Sequence, residues 1–267
     1  MNAQTNPAQS VAVSGTGAVP QIELAGVSKR YDRPILDGLN LIVAKGEFVS
    51  LIGPSGCGKS TVLKLISGLT PASTGNILID GMTPKNARET MAFIFQDPTL
   101  LPWRTVRSNA GLGLELEGVP RDKREAKVDA LLELVGLSHV SRAYPRQLSG
   151  GMKMRLSIAR AIATRPRLLL MDEPFAALDE MTRDRMNEEL LRLRDEQKWT
   201  VVFVTHSVTE AVFLSTRIVV LAPNPGRIHA DIPVELPNSR TAELRSTLEY
   251  EQMVVEISRI LREARSA

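Results

Sequence analysis

Gly53-Pro54-Ser55-Gly56-Cys57-Gly58-Lys59-Ser60 fits the pattern G-x-x-x-x-G-K-[ST], directly between the β-rich run Glu47 to Ile52 and the helical pattern Thr61 to Ser67. This demands a strand, a glycine-rich turn and a helix in immediate succession. Its glycines let backbone N–H groups converge on anionic oxygens, the helix start adds its positive dipole end, and Lys59 supplies a full charge to the outer phosphates of a nucleotide. Ser60 is placed to ligate Mg²⁺. The expected nucleotide contacts are Gly53, Pro54, Ser55, Gly56, Cys57, Gly58, Lys59, Ser60 and Thr61. The alternative, a turn that binds nothing, has to account for the whole octapeptide and both correct flanks. Cys57 reads two ways, as a residue small enough for the loop or as a thiol whose modification disturbs binding at a helix N-terminus.

Around this loop the chain alternates strand-like and helical runs. Short β-rich runs occupy Ile22 to Val27, Leu39 to Val43, Glu47 to Ile52, Asn76 to Ile79 and Met91 to Phe95, punctuated by Gly and Pro, and read as the first half of a sheet. Between about Thr105 and Ala163 the period is helical, with Val128, Leu131, Leu132 and Val135 on one stripe. Strand-like runs return at Leu168 to Met171, Val201 to Thr205 and Ile218 to Leu221, separated by helical stretches at Thr182 to Gln197 and Ser207 to Leu214. Such alternation predicts a parallel α/β sheet interrupted by an all-helical insert. After the Pro-Asn-Pro-Gly turn at 223–226, Leu244, Leu248, Val255 and Leu261 read as the stripe of a terminal amphipathic helix.

Composition narrows the function classes. Thirty-three basic residues against 30 acidic leave a net charge of only +3 in 267 residues, with no long one-signed block to track a nucleic-acid backbone. Any phosphate must therefore be gripped locally. The single cysteine excludes an internal disulfide framework and a multi-Cys metal site. No apolar run approaches the ~20 residues that span a bilayer. Residues 1–20 carry no charged side chain, lack the basic start of a secretory signal and read as a disordered leader.

Two further features carry chemistry. Leu168-Leu169-Leu170-Met171-Asp172-Glu173 is an apolar strand ending in two carboxylates, which places them at the carboxyl edge of the sheet beside the phosphate loop. Asp172 suits Mg²⁺ held through water, and Glu173 suits the base that orients and deprotonates the attacking water. Leu148-Ser149-Gly150-Gly151-Met152 precedes the helical stretch Lys153 to Thr164, so Ser149 can cap and Gly150 and Gly151 can expose N–H groups to a second anion. Ser-Gly-Gly before a helix also reads simply as a cap. As a phosphate site it is most economically used across a two-fold dimer, each loop facing the other subunit's Ser149 and glycines with two ATP molecules between.

With these residues in place, the chain from about Gln21 to about Arg227 resembles the nucleotide-binding subunit of an ABC transporter, and Leu148 to Met152 resembles that family's signature sequence. The resemblance implies a P-loop NTPase core with an N-terminal antiparallel β-subdomain and an inserted α-helical subdomain at about 97–164. The nucleotide-binding domain would cover 21–235, with a C-terminal helical extension at 236–267. It further implies an ATP hydrolase that uses ATP and Mg²⁺. Tyr31 falls where the family stacks an aromatic ring on adenine, and Gln96, after Phe93-Ile94-Phe95, resembles the glutamine that reaches Mg²⁺ and couples to the membrane partner. Asp179, in Ala177-Leu178-Asp179, corresponds to the loop that crosses to the other subunit, and His206 resembles the switch histidine that contacts the γ-phosphate. The catalytic set implied is Glu173, His206, Gln96 and Lys59, and the metal set Ser60, Gln96 and Asp172. Each also has a plain reading: Tyr31 a surface aromatic, Gln96 a strand-end polar residue, Asp179 a helix cap and His206 a structural histidine. His139 and His229 match nothing.

The family signature usually ends in Gln, whereas Met152 cannot donate a hydrogen bond. This variant, the following Lys153-Met154-Arg155, the stretch Asp97 to Arg104 and the turn Ala222 to Arg227 are similar to the branch that imports nitrate, sulfonates and taurine. The resemblance implies a subunit at the cytoplasmic face of the inner membrane. Its partners would be a second copy of itself, permease subunits and, indirectly, an external substrate-binding protein. The apolar cluster Leu100, Leu101, Pro102 and Trp103 would meet the permease, unless Trp103 packs inside its own domain. Two other classes are weighed: a soluble ABC-type ATPase acting on ribosome or DNA, which usually carries two cassettes or a long coiled-coil insert, and a non-hydrolysing nucleotide-binding module, against which Glu173 argues.

Overall fold

The computed structural model describes residues 19–176, 178–237 and 240–266. The expected leader therefore lies outside the described residues except for Val19 and Pro20. Three strands, β1 (Ile22–Arg30), β2 (Pro34–Val43) and β4 (Thr74–Ile79), form an antiparallel sheet in the order β2-β1-β4. The remaining strands are β3 (Phe48–Ile52), β5 (Met91–Ile94), β6 (Leu168–Asp172), β7 (Thr200–Val204), β8 (Arg217–Ala222) and β9 (Arg227–Pro233). They form a second sheet in the order β5-β6-β7-β3-β8-β9. The N-terminal runs thus do not begin one sheet. They are divided between two, because β1 pairs with β2 and β4, while β3 and β5 join the later strands.

In the second sheet every neighbouring pair is parallel except β8 with β9. The parallel strands β3 and β7 are buried at every position, as expected where both faces are covered. One face packs with the first sheet around helix α1 (Lys59–Ile66), whose Val62, Leu63, Leu65 and Ile66 join Val49, Leu51, Leu170 and Val202 in a single core. The other face packs against α6 (Glu180–Gln197), α7 (Val208–Leu214) and α8 (Leu248–Ser266). Between β5 and β6 lie α2 (Val106–Ala110), α3 (Leu112–Leu116), α4 (Arg121–Leu134) and α5 (Gly150–Ile162). Val128, Leu132 and Val135 are buried in a third, helical cluster, with Leu131 half-buried at its edge, as their spacing predicts.

The terminal segment follows the expected stripe only in part: Leu244, in the turn before the helix, and Leu261 pack half-buried against the core, but Leu248 and Val255 do not. Leu248 and Val255 are 65% exposed, and the buried residues are Tyr250, Ile257 and Ala264, one every two turns. Three anchors set this orientation. The Tyr250 hydroxyl donates to the Thr209 carbonyl at 2.9 Å. Arg245 stacks 3.7 Å from the Phe213 ring and pairs with Asp184 and Glu188 of α6. Arg240, buried, donates to the carbonyls of Val212, Phe213 and Ser215, closing the end of α7, and burial pushes its guanidinium down to about 10. The chain's end is thereby fastened to the two helices that follow Asp179 and His206.

Candidate nucleotide site

Parallel register determines what meets at the sheet's carboxyl edge. Asp172 stands opposite Val204, and Val204 opposite Leu51, so the residues just after β3, β6 and β7 emerge side by side. From β5, Gln96 follows Ile94 by two residues and reaches the same edge.

The loop after β3 folds into the helix start of α1. Gly58 caps α1 with φ 99°, a left-handed conformation, and a Cβ there would lie 2.4 Å from Leu36 Cδ2 of β2. Lys59 is buried, its ammonium donating to the carbonyls of Gly53 at 2.9 Å and Pro54 at 3.1 Å, so its charge is held within the loop. Cys57 is wholly buried and burial pushes its thiol up, which favours the small-residue reading over a reactive thiolate. Its N–H donates to the Pro54 carbonyl at 3.3 Å.

Ser60 Oγ donates to Asp172 Oδ1 at 2.9 Å. Burial raises the Asp172 carboxyl, and the Ser60 hydrogen bond opposes that rise. Glu173, next in the chain, has φ 46°, a strained conformation for a side chain of its size, and its N–H donates to the Val204 carbonyl at 2.9 Å. The turn aims its carboxylate at two neighbours. His206 Nδ1 lies 3.3 Å from Glu173 Oε2, and Gln96 Nε2 donates to the same oxygen at 3.5 Å. Gln96, Glu173 and His206, far apart in sequence, meet beside the Ser60–Asp172 pair.

The other expected site residues are placed in two further groups. Tyr31 sits in the turn between β1 and β2, half exposed, with the Lys29 ammonium 4.7 Å from its ring centroid. Ser149 caps α5, accepting the Met152 N–H at 3.3 Å, with Gly150 and Gly151 in the first turn. Met152 packs against the helical cluster. Asp179 caps α6, and the Thr182 N–H it accepts holds its carboxyl below the usual range. The neighbouring Ala177 lies outside the described residues. Trp103 is 70% exposed, so it does not pack inside its own domain.

Sequence reasoning missed several supports. Asn109, fully buried, accepts the Leu101 N–H and donates to the carbonyls of Leu101, Arg104 and Thr105, while Arg160 holds the carbonyls of Pro98 and Thr99. Together they tie the loop after Gln96 to the helices. The turn at 223–226 reads as a loop only, yet Gly226 donates its N–H to the Ile35 carbonyl at 2.8 Å and lies against the phosphate loop. A Cβ at Gly226 would lie 2.1 Å from the Cys57 carbonyl oxygen and 2.9 Å from Leu36 Cδ2. Gly226→Val should therefore cost about 1–3 kcal/mol of stability through overpacking and weaken nucleotide binding as Cys57 is displaced. Thermal melting and a binding titration check this, and an unchanged melting point with unchanged affinity would show that the turn yields freely.

The residues fit a magnesium nucleotide. A serine hydroxyl and a carboxylate one hydrogen bond apart are hard oxygen donors, an ammonium sits within the loop, and the helix start faces the same space. Among the described residues no group of three or more His, Cys, Asp or Glu forms a metal cage. Fold and site together define a P-loop ATPase with an inserted helical layer.

The ABC transporter family matches residues 36–176. The chain is 43% identical over 221 residues to the taurine import ATP-binding protein of Rhizobium johnstonii, covering 81% of this chain and 84% of that one. It is 41% identical over 241 residues to the aliphatic sulfonates import ATP-binding protein of Bacillus cereus, covering 88% and 94%. It is also 41% identical over 242 residues to the nitrate import ATP-binding protein of a Synechocystis species, covering 88% and 91%. Among solved structures, an ATP-binding cassette described as dimeric, in a post-hydrolysis state with ADP and Pi, superposes with a TM-score of 0.73. It is 32% identical and covers 81% of this chain and all of that one. The chain belongs to the ABC transporter family. It is an ATP hydrolase whose substrate is ATP with Mg²⁺. Among the described residues no helix is long and apolar enough to cross a membrane.

Proposed function

We propose that the chain is the motor subunit of an importer for a small anionic or zwitterionic compound of the sulfonate, taurine or nitrate type, working as a pair on the cytoplasmic face of the inner membrane. The observation that carries the catalytic part is the meeting of Gln96, Glu173 and His206 beside Ser60 and Asp172. The substrate class is supported by the relatives named for those compounds and by the Met152 and Asp97 to Arg104 features.

In this reading Glu173 takes the proton of the attacking water, and His206 holds Glu173 in place while reaching the γ-phosphate. Lys59 binds the outer phosphates, with Gly53, Pro54, Ser55, Gly56, Cys57, Gly58, Ser60 and Thr61 forming the cradle, and Tyr31 stacks on adenine. Ser60, Gln96 and, through water, Asp172 hold Mg²⁺, which when bound offsets the charge on the phosphate oxygens. Ser149, Gly150, Gly151 and Asp179 serve the nucleotide of the second copy, so closure of the pair requires ATP. The exposed Trp103, with Leu100, Leu101 and Pro102, receives a helix of the permease, to which an external binding protein delivers cargo. Residues 21–235 form the ATP-binding unit, about 97–164 its helical part and 236–267 an extension.

The test is growth of source cells, cleared of any second sulfonate or nitrate importer, in which this chain carries Glu173→Gln. We expect failure on taurine or an alkanesulfonate as sole sulfur source, or on nitrate as sole nitrogen source, with normal growth on inorganic sulfate and ammonium. Normal growth on all of them would overturn the substrate assignment.

A further inference from the structure

The turn that carries His206 is held on both sides by one residue to which the proposed function gives no role, Glu210, through its carboxylate and its backbone N–H. Thr205 donates its hydroxyl to a Glu210 carboxylate oxygen and accepts the Ser207 N–H at 3.0 Å. Ser207 caps α7 by accepting the Glu210 N–H at 3.2 Å. His206 lies between these two anchored residues, so its backbone has little freedom unless Glu210 moves. Glu210 itself is only 7% exposed, and burial pushes its carboxyl up against the opposing pull of Thr205 and Arg183. A carboxylate in that setting costs stability unless it is paired, and its partner belongs to another element.

That partner is Arg183 in the first turn of α6. Its Nε lies 3.5 Å from Glu210 Oε1, and its Nη2 donates to the Leu178 carbonyl at 2.9 Å, just before the cap Asp179. The guanidinium therefore joins the segment entering α6 to the turn entering α7. The start of α5 adjoins the same segment, since a Cβ at Gly151 would stand 3.2 Å from Leu178 Cδ2 and 3.7 Å from Thr182 Cγ2. The segments of Asp179 and His206, expected at nucleotides, are thus joined by one part-buried ion pair, and that of Gly151 packs beside the first of them.

We propose that Arg183 and Glu210 are a positioning pair for ATP hydrolysis, fixing the His206 turn and the Leu178–Asp179 segment to each other so that His206 reaches this copy's nucleotide as Asp179 reaches the second copy's. The proposal rests on the placing of His206 and Asp179 given under Proposed function. The planar guanidinium suits the task because it faces the carboxylate as an ion pair through Nε while Nη2 bonds the carbonyl, whereas a lysine ammonium on its flexible stem does not hold both directions. Loss of either partner leaves the chemistry residues intact but out of register, and a misplacement of about 1 Å can cost 10²-fold in rate.

The test uses the full chain in its transporter complex, with ATP turnover and KM read together. Glu210→Gln keeps an acceptor for the Thr205 hydroxyl while removing the charge, and Arg183→Met removes both the ion pair and the hydrogen bond to the Leu178 carbonyl. Each should lower kcat by about 10- to 100-fold with KM for ATP changed less than twofold, Arg183→Lys recovering only part of the loss. The double variant should be no slower than the slower single one, because both delete one link. Losses that multiply in the double variant, a KM that rises while kcat holds, or full recovery with Lys would overturn the pairing. If Arg183→Met does not fold, the Glu210→Gln split between kcat and KM decides alone. His206→Ala, measured alongside, separates the two levels: unchanged turnover there removes the role of His206 itself, whereas loss there with normal turnover in both pair variants removes only the pairing.

Discussion

Glu173→Gln should lower ATP turnover by roughly 10²–10⁴-fold while MgATP binding stays within a few-fold of the original chain. The side chain lies just past the end of β6, beside Asp172 and within reach of His206 and Gln96, and in the proposed function it is the base. Gln has the same length and can still accept the Gln96 amide, so the substitution removes the ability to take a proton without opening a hole. Nothing in the phosphate loop changes, because Ser60 bonds to Asp172 and Lys59 bonds to loop carbonyls, neither of them touching Glu173. The strained turn is also kept, since φ 46° at this position is held by the backbone bond to Val204 whatever the side chain. Rapid-quench turnover paired with a nucleotide-binding titration separates the two effects. Undiminished hydrolysis would move the base elsewhere, and equal losses in binding and turnover would make Glu173 a binding residue instead.

The sequence made this arrangement legible to the extent that local order determines it. The glycine-rich loop is contiguous, so its pattern sufficed to predict the strand before it and the helix after it. Gln96, Glu173 and His206 each follow an apolar run, and once those runs pair in parallel their ends must share an edge. What stayed hidden depends on packing between distant elements. Gly226 looks like any turn glycine until β2 and the Cys57 backbone close on it. Asn109 sits in a helix with no pattern to mark it, and only the folded chain reveals the loop carbonyls it serves. Apolar spacing finds Leu244 and Leu261 but not the buried Tyr250, Ile257 and Ala264, because several apolar stripes are available on α8 and the choice among them is made by Tyr250, Arg245 and Arg240 gripping α6 and α7. The division of the early strands into two sheets is likewise a matter of pairing partners, which β-rich composition does not specify.

Lys59→Ala should weaken ATP binding on the order of 30- to 1,000-fold, the range for deleting one member of a buried charge-assisted contact. Lys59 is the only cationic side chain in the loop from Gly53 to Ser60, so no neighbour within it can substitute. Its ammonium already lies inside the loop, which means that little ordering remains to be done when phosphate arrives. The same bonds complicate the substitution, because alanine also deprives the Gly53 and Pro54 carbonyls of a donor and should lower the melting point modestly. The nucleotide series separates these contributions. A general loosening of the loop would weaken AMP, ADP and ATP alike, whereas loss of a charge directed at the outer phosphates should spare AMP and penalise ATP most. Titrations of all three against the original chain and Lys59→Ala decide between them. A uniform loss would reduce Lys59 to a structural strut, and an unchanged ATP affinity would remove the loop from phosphate recognition altogether.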